Sequence, residues 1–190
     1  MPMELVIVGG LVFVLLLAAV LVAVVVGMYN GLIRKRNAVD NGWAQIDVQL
    51  KRRYDLIPNL VETVKAYASH ERATFEAVTA ARSAAMNADG PAQQATAENA
   101  LSRALRGVFA VAEAYPQLRS SSNFLELQGE LSDTENRIAY SRQYYNDAVQ
   151  TYNTAIQTVP INVIAGIFKF TVRQYFTTPE TERGPVGVRF

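Results

Sequence analysis

Leu5 to Met28 is an unbroken run of 24 residues with no charged or strongly polar side chain. As a helix at ~1.5 Å per residue it reaches roughly 36 Å, more than the ~30 Å hydrocarbon layer of a bilayer. A water-soluble monomer without membrane contact is therefore excluded. A cleaved signal peptide fits badly: Met1–Glu4 carries no positive charge, and the run exceeds the ~7–15 apolar residues of such a leader. Residues 1–28 read as an uncleaved N-terminal transmembrane helix.

The flanks of the run set its expected orientation. Arg34, Lys35 and Arg36 follow it, whereas only Glu4 precedes it. Lys and Arg accumulate on the cytoplasmic side, so the N-terminus is expected outside and the body in the cytoplasm. The same three cations are candidates for contact with anionic lipid at the membrane surface, and Tyr29 is placed to lie at headgroup level. Ala19, Ala23, Gly27 and Gly31 recur every four residues, a spacing that lets two helices approach closely in lipid. They form a candidate self-association stripe.

Beyond residue 28 the composition is that of a globular domain. All 18 Lys and Arg lie there, against 16 of the 17 Asp and Glu, a net of +2 over 162 residues. So weak a field, without a recognition motif, speaks against nucleic acid as a partner. The absence of cysteine removes disulfides and thiolate metal sites.

Helical periodicity dominates the body. Val39, Trp43, Ile46, Leu50, Tyr54, Ile57, Leu60, Val64 and Tyr67 step by three or four and line one helix face. Nothing between Met28 and Pro58 must break this helix, so anchor and first body helix are expected to be continuous, with a bend at Pro58. Continuation through Phe75, Val78, Ala81 and Ala85 predicts one kinked helix from Asn30 to Asn87, the alternative being a turn near Ser69. A cluster of turn residues, Asn87 to Pro91, ends it. A second helix is expected over Ala92–Tyr115, with its stripe at Ala97, Leu101, Ala104, Val108, Val111 and Tyr115. A third starts near Ser120–Asn123 and carries a coiled-coil-like seam: Phe124, Leu127, Leu131, Thr134, Ile138, Ser141, Tyr145, Ala148, Tyr152 and Ala155. Thr134 and Ser141 need hydrogen-bond partners in that seam. Ile161 to Phe176 reads as a final apolar helix, either a fourth wall of the core or an element at the membrane interface. A polar tail, 179–190, is expected to be extended.

Catalytic patterns are sparse. His70 is the sole histidine, so both H-E-x-x-H zinc chemistry and paired Glu-x-x-His di-iron chemistry fail. No phosphate-cradling glycine loop and no nucleophile elbow occurs. Glu126, Glu130, Asp133 and Glu135 read as a solvated helix face. A second basic triplet, Lys51, Arg52 and Arg53, lies ~35 Å along a straight helix from the anchor, beyond the reach of the leaflet's field. Arg53 borders the apolar stripe and is either paired with an acid other than Asp55 or, with Lys51 and Arg52, part of a partner-binding patch.

Several strings resemble the LemA family. They are Tyr29-Asn30, Arg36-Asn37, the long string from Trp43 to Val61, Val64 to Tyr67 with His70-Glu71, the set Asn123-Phe124 through Thr134–Ala139 to Tyr145-Asn146 and Tyr152-Asn153, and Ile164-Ala165 with Phe168, Phe170 and Tyr175-Phe176. Ala66 stands where the family often has Gly. The resemblance implies a bacterial inner-membrane protein with one N-terminal anchor and a cytoplasmic helical bundle; relatives occur in magnetosome membranes. It implies no catalytic residue, cofactor or substrate.

The expected architecture is all-α: an anchor (1–28), an up-and-down antiparallel four-helix bundle (29–178) and a tail (179–190). The expected role is a non-enzymatic membrane-tethered scaffold or adaptor without cofactor, whose partners are the bilayer and a protein or a second copy. A membrane-bound enzyme or accessory subunit using carboxylate and tyrosine groups is the alternative.

Overall fold

A computed structural model describes residues 2–177; the expected tail, 179–190, lies outside the described residues. Helices are α1 (Pro2–Lys65), α2 (Arg72–Met86), α3 (Gly90–Ala114), α4 (Pro116–Arg119), α5 (Ser122–Gln157) and α6 (Ile161–Ile167). There is no strand among the described residues. The described residues divide into two compact units, one of residues 2–40 and 148–173, the other of 41–147 and 174–177. The division passes through α1 and α5.

In the first unit, α1 carries the apolar run, and its large side chains from Val6 to Val24 are exposed. Leu32 and Val39 are buried farther along, as are Val149, Tyr152, Ala155 and Ile156 of α5 and Ile164 and Ala165 of α6. The expected final helix stops nine residues short of Phe176. Its last turn closes by Lys169 N–H to Gly166 O (3.3 Å) and Phe170 N–H to Ala165 O (2.9 Å), with Lys169 in the left-handed region at φ 55°. That is a Schellman C-cap, a position glycine usually takes. Residues 170–173 then run extended beside α5. Asn153 pairs with both backbone groups of Arg173: its Oδ1 accepts from N–H (2.9 Å) and its Nδ2 donates to C=O (2.9 Å). The Tyr152 hydroxyl donates to Thr171 O (3.0 Å). Burial pushes the Tyr152 hydroxyl pKa up, against the opposing pull of Arg173 and Arg36.

In the second unit, α1 runs on unbroken through Pro58 to Lys65. The single helix expected from Asn30 to Asn87 is instead two, broken at Ala66–Glu71. The break is the turn near Ser69, held by Ala68 N–H to Val64 O (2.9 Å) and Glu71 N–H to Ala68 O (3.1 Å). No local breaker forces it; burial of Ala68, Phe75, Val78 and Ala85 does, because tertiary packing outweighs the few tenths of a kcal/mol by which most residues differ in helix propensity. Tyr67, off the helix, is 43 % exposed. Gly90 at φ 76° begins α3 after the turn cluster. Along α5, Phe124, Leu131, Thr134, Ile138 and Tyr145 are buried as the seam requires. Thr134 meets its need locally, donating to Glu130 O (2.7 Å).

Gly42 of α1 faces α5 closely: a Cβ there would lie 3.2 Å from the Tyr145 Cα. Trp43 beside it packs on Tyr145 and Phe176, ring centroids 5.5 and 6.1 Å apart. The Asn-on-backbone device recurs here. Asn146 Oδ1 accepts from Phe176 N–H (2.8 Å) and Nδ2 donates to its C=O (3.3 Å), while the Tyr145 hydroxyl donates to Gln174 O (2.8 Å). The Tyr-Asn pair thus appears twice, seven residues apart, and its partners are three residues apart.

Candidate functional site

The main concentration of buried polar chemistry lies in the second unit. Arg53 and Tyr54 of α1 are both buried, with Gln94 and Glu98 of α3. Gln94, Glu98 and Ser102 are spaced by four, so they share one face of α3. Arg53 Nη1 donates to Glu98 Oε2 (2.9 Å), and its Nη2 reaches Ser102 Oγ (2.7 Å) and Glu135 Oε2 of α5 (3.0 Å). The Tyr54 hydroxyl donates to Glu98 Oε1. Gln94 Nε2 donates to the Tyr54 hydroxyl (2.8 Å), to Glu98 Oε1 (3.1 Å) and to Ala85 O of α2 (3.1 Å). Burial, then the hydrogen bond and negative charge of Glu98, push the Tyr54 hydroxyl well above its ordinary range. Arg142 of α5 stacks on the Phe176 ring at 4.6 Å. Burial lowers its pKa, while Glu135 and Glu98 oppose that shift.

Pro58 has no N–H to give the carbonyl four residues before it, that of Tyr54. Arg82 of α2 supplies the donor: its Nε lies 2.8 Å from Tyr54 O. A proline that should disrupt α1 is thereby accommodated by the helix that folds back on it.

A cleft of about 380 Å³ opens between α3 and α5 next to this network, bordered by Arg53, Arg106, Phe109, Leu131, Glu135 and Asn136. Chemically it offers guanidinium, carboxylate, hydroxyl, amide and apolar surface. Among the described residues no group of three His, Asp or Glu side chains is disposed to hold a metal ion. His70 is exposed in the 66–71 turn.

The sequence-predicted residues fall in different places. Arg34 is exposed, Lys35 is half-buried, and Arg36 lies over the Phe170 ring at 5.7 Å. Ala19, Ala23 and Gly27 are exposed on α1, and Gly31 is half-buried beside Arg34. The second triplet splits. Lys51 faces Asp55 (3.7 Å) and Arg52 faces Glu130 (3.6 Å), all four at the surface, whereas Arg53 belongs to the buried network. Of the acids assigned to a solvated face, Glu126 and Asp133 are exposed, but Glu130 and Glu135 hold arginines. Reading α3 by its apolar residues missed Gln94 and Glu98, and nothing local to Arg82 marks it; Pro58, by orphaning a carbonyl, was the available signal.

Residues 42–190 match the family model of the LemA family. The chain belongs to the LemA family. It is 27 % identical over 175 residues to Protein LemA of Metamycoplasma hominis, covering 90 % of this chain and 78 % of the relative. It is 26 % identical over 174 residues to the magnetosome protein MamQ of Magnetospirillum gryphiswaldense, and 26 % over 181 to MamQ 1 of Paramagnetospirillum magneticum. These matches cover 78 and 82 % of this chain but 64 and 66 % of the MamQ proteins, a little under two thirds of their length. With the exposed apolar run of α1, the family match describes a membrane-associated, all-helical LemA-like protein.

Proposed function

We propose that this protein is a non-enzymatic scaffold or adaptor, tethered to the bacterial inner membrane by α1 with its N-terminus outside and its body in the cytoplasm. In this reading the α1 stretch 41–65, α2, α3 and the α5 stretch 122–147 make an up-and-down antiparallel four-helix bundle. Lys51 and Arg52 offer a basic surface to a protein partner, and Ala19, Ala23, Gly27 and Gly31 are the means of self-association. The observation that carries the reading is that the body's buried charges saturate one another: Arg53 meets Glu98 and Glu135, and Glu98 also meets Tyr54 and Gln94. A group committed to such a network holds helices in register instead of waiting on a substrate. That relatives are magnetosome proteins by name fits a role at a membrane.

The test is quantitative co-isolation from native membranes with the full chain as bait, comparing the parent with Lys51→Glu/Arg52→Glu. A partner whose recovery drops about tenfold or more, the effect of ~1.4 kcal/mol, supports the basic surface. Equal recovery of every protein by both baits counts against it. A reporter active only outside the membrane, fused after Phe190, should be silent.

A further inference from the structure

Within the first unit, contacts fix the direction in which the extended segment travels along α1. The Phe168 and Phe170 rings lie 4.7 and 5.8 Å from the ring of Tyr29, the first residue after the apolar run. Phe170 also lies under Arg36, and Arg173 pairs with Asp40 at 3.1 Å. From 168 to 173 the segment therefore moves away from the apolar run. Tyr152 and Asn153 of α5 meet Thr171 and Arg173, level with Arg36 to Asp40, whereas Phe168 lies at Tyr29, so the chain from 153 to 168 travels back towards the apolar run. α6, which ends one residue before Phe168, thus comes at the level of Tyr29, where the hydrocarbon layer ends.

What α6 presents there suits that depth. Ile164 and Ala165 face inward. On the other side Val159, Val163 and Ile167, spaced by four, are 74, 59 and 67 % exposed, with Phe168 at 51 %. No charged residue occurs between Asp147 and Lys169. Cations follow closely in the chain on both segments: Arg34 and Lys169 are exposed and Lys35 is half-buried. A contiguous exposed apolar face marks an interaction surface. One that continues a membrane span, with an aromatic cluster and cations at its edge, has the composition of an element lying in the headgroup–acyl boundary.

We infer that α6 is a second membrane contact, an interfacial foot that inserts Val159, Val163, Ile167 and Phe168 into the cytoplasmic leaflet beside α1, with Arg34, Lys35 and Lys169 among the lipid phosphates. The inference rests on α1 spanning the bilayer, and its test separates the two. The chain has no cysteine, so single nitroxide labels can be placed at Val163→Cys, Ile167→Cys, Leu15→Cys in the span and Ser83→Cys on exposed α2. The full chain is reconstituted in vesicles of zwitterionic lipid with a minority of anionic lipid. Collisions with lipid-soluble oxygen and with a water-soluble nickel chelate are then compared. Labels at 163 and 167 should favour oxygen, as Leu15→Cys does, and Ser83→Cys should favour the chelate. The foot is overturned if 163 and 167 behave like 83 while 15 behaves as lipid-embedded. It is equally overturned if 163 and 167 are shielded from both reagents, since protein, in the form of a second copy, then covers the face. Chelate access at 15 overturns the span and the foot together.

Discussion

Arg82 donates its Nε hydrogen to the main-chain oxygen of Tyr54, 2.8 Å away, and that oxygen is the one left without a helical donor by Pro58. The proline and the arginine are thus a matched pair, although one sits in α1 and the other in α2. The contact adds to the apolar packing of Phe75, Val78 and Ala85 that folds α2 back on α1.

The pair is testable by a double-mutant cycle. Arg82→Ala should destabilise the protein by about 1 kcal/mol, the low end of the cost of an unsatisfied acceptor, because this one is only half-buried. Pro58→Ala restores the intrahelical donor, so Arg82→Ala should cost distinctly less in that background. Thermal melting of the full chain in detergent micelles reads both. Additive effects of the two substitutions would show that Arg82 acts elsewhere.

Arg53 and Glu98 should behave as a buried pair. Their side chains are only 5 and 4 % exposed, so Glu98→Ala strands a guanidinium and should cost about 3–5 kcal/mol. Arg53 keeps Glu135 in that variant, which places the loss at the lower end. Replacing both partners by Arg53→Met/Glu98→Leu should recover much of the stability, as apolar substitutes for buried ion pairs often do. Denaturant midpoints of Glu98→Ala, of the singles Arg53→Met and Glu98→Leu, and of the double variant decide it; a double variant as unstable as the sum of its singles would deny the coupling.

Alkaline pH should weaken the fold. The Tyr54 and Tyr152 hydroxyls are both pushed up by burial, so near pH 10 the unfolded chain releases protons that the folded chain keeps. Fewer protons bound in the unfolded state means stability falls as pH rises, by at most ~1.4 kcal/mol per pH unit for each group. Below the unfolded value the contribution is intact. Tyr54→Phe should lower stability at neutral pH, since Glu98 loses a donor, yet flatten the decline above pH 10. Melting temperatures from pH 8 to 11 for both proteins check the slopes; parallel slopes would exclude Tyr54 as a source.

What was legible in the sequence was periodic. The apolar run of α1 and the three-four seam of α5 needed no knowledge of neighbours, because each pattern repeats many times within one helix. Helix ends were less legible. The break at 66–71 has no glycine or proline, and the C-cap after α6 puts Lys169 in the left-handed position where glycine would have been the signal. In α3 the apolar stripe predicts Leu101 and Val108, which are buried, but also Ala97 and Ala104, in place of which the buried face holds Gln94, Glu98 and Leu105. Those polar residues are buried because Arg53 and Tyr54, some 40 positions earlier, satisfy them, and no local pattern encodes such pairing. The Tyr-Asn pairs at 145–146 and 152–153 were visible as a heptad repeat of polar groups beside the seam, but what they hold, an extended backbone, is not periodic at all.

Those pairs give the last prediction. Asn153 makes both hydrogen bonds to Arg173, and Asn146 both to Phe176, so each amide should fix its own stretch of backbone. Asn153→Leu keeps the size and removes both bonds. The Arg173 amide should then exchange hydrogen roughly five- to hundredfold faster, the equivalent of about 1–3 kcal/mol for a donor and an acceptor released, while Phe176 changes little. Asn146→Leu should do the reverse. Asn153→Asp retains the acceptor but turns a second negative oxygen towards the Arg173 carbonyl, so it should loosen the segment at least as much as the leucine at neutral pH. Residue-resolved hydrogen exchange on the full chain distinguishes these outcomes. If either leucine variant leaves its partner amide as protected as before, the segment is held by the packing of Phe170 and Phe176 and not by the asparagines.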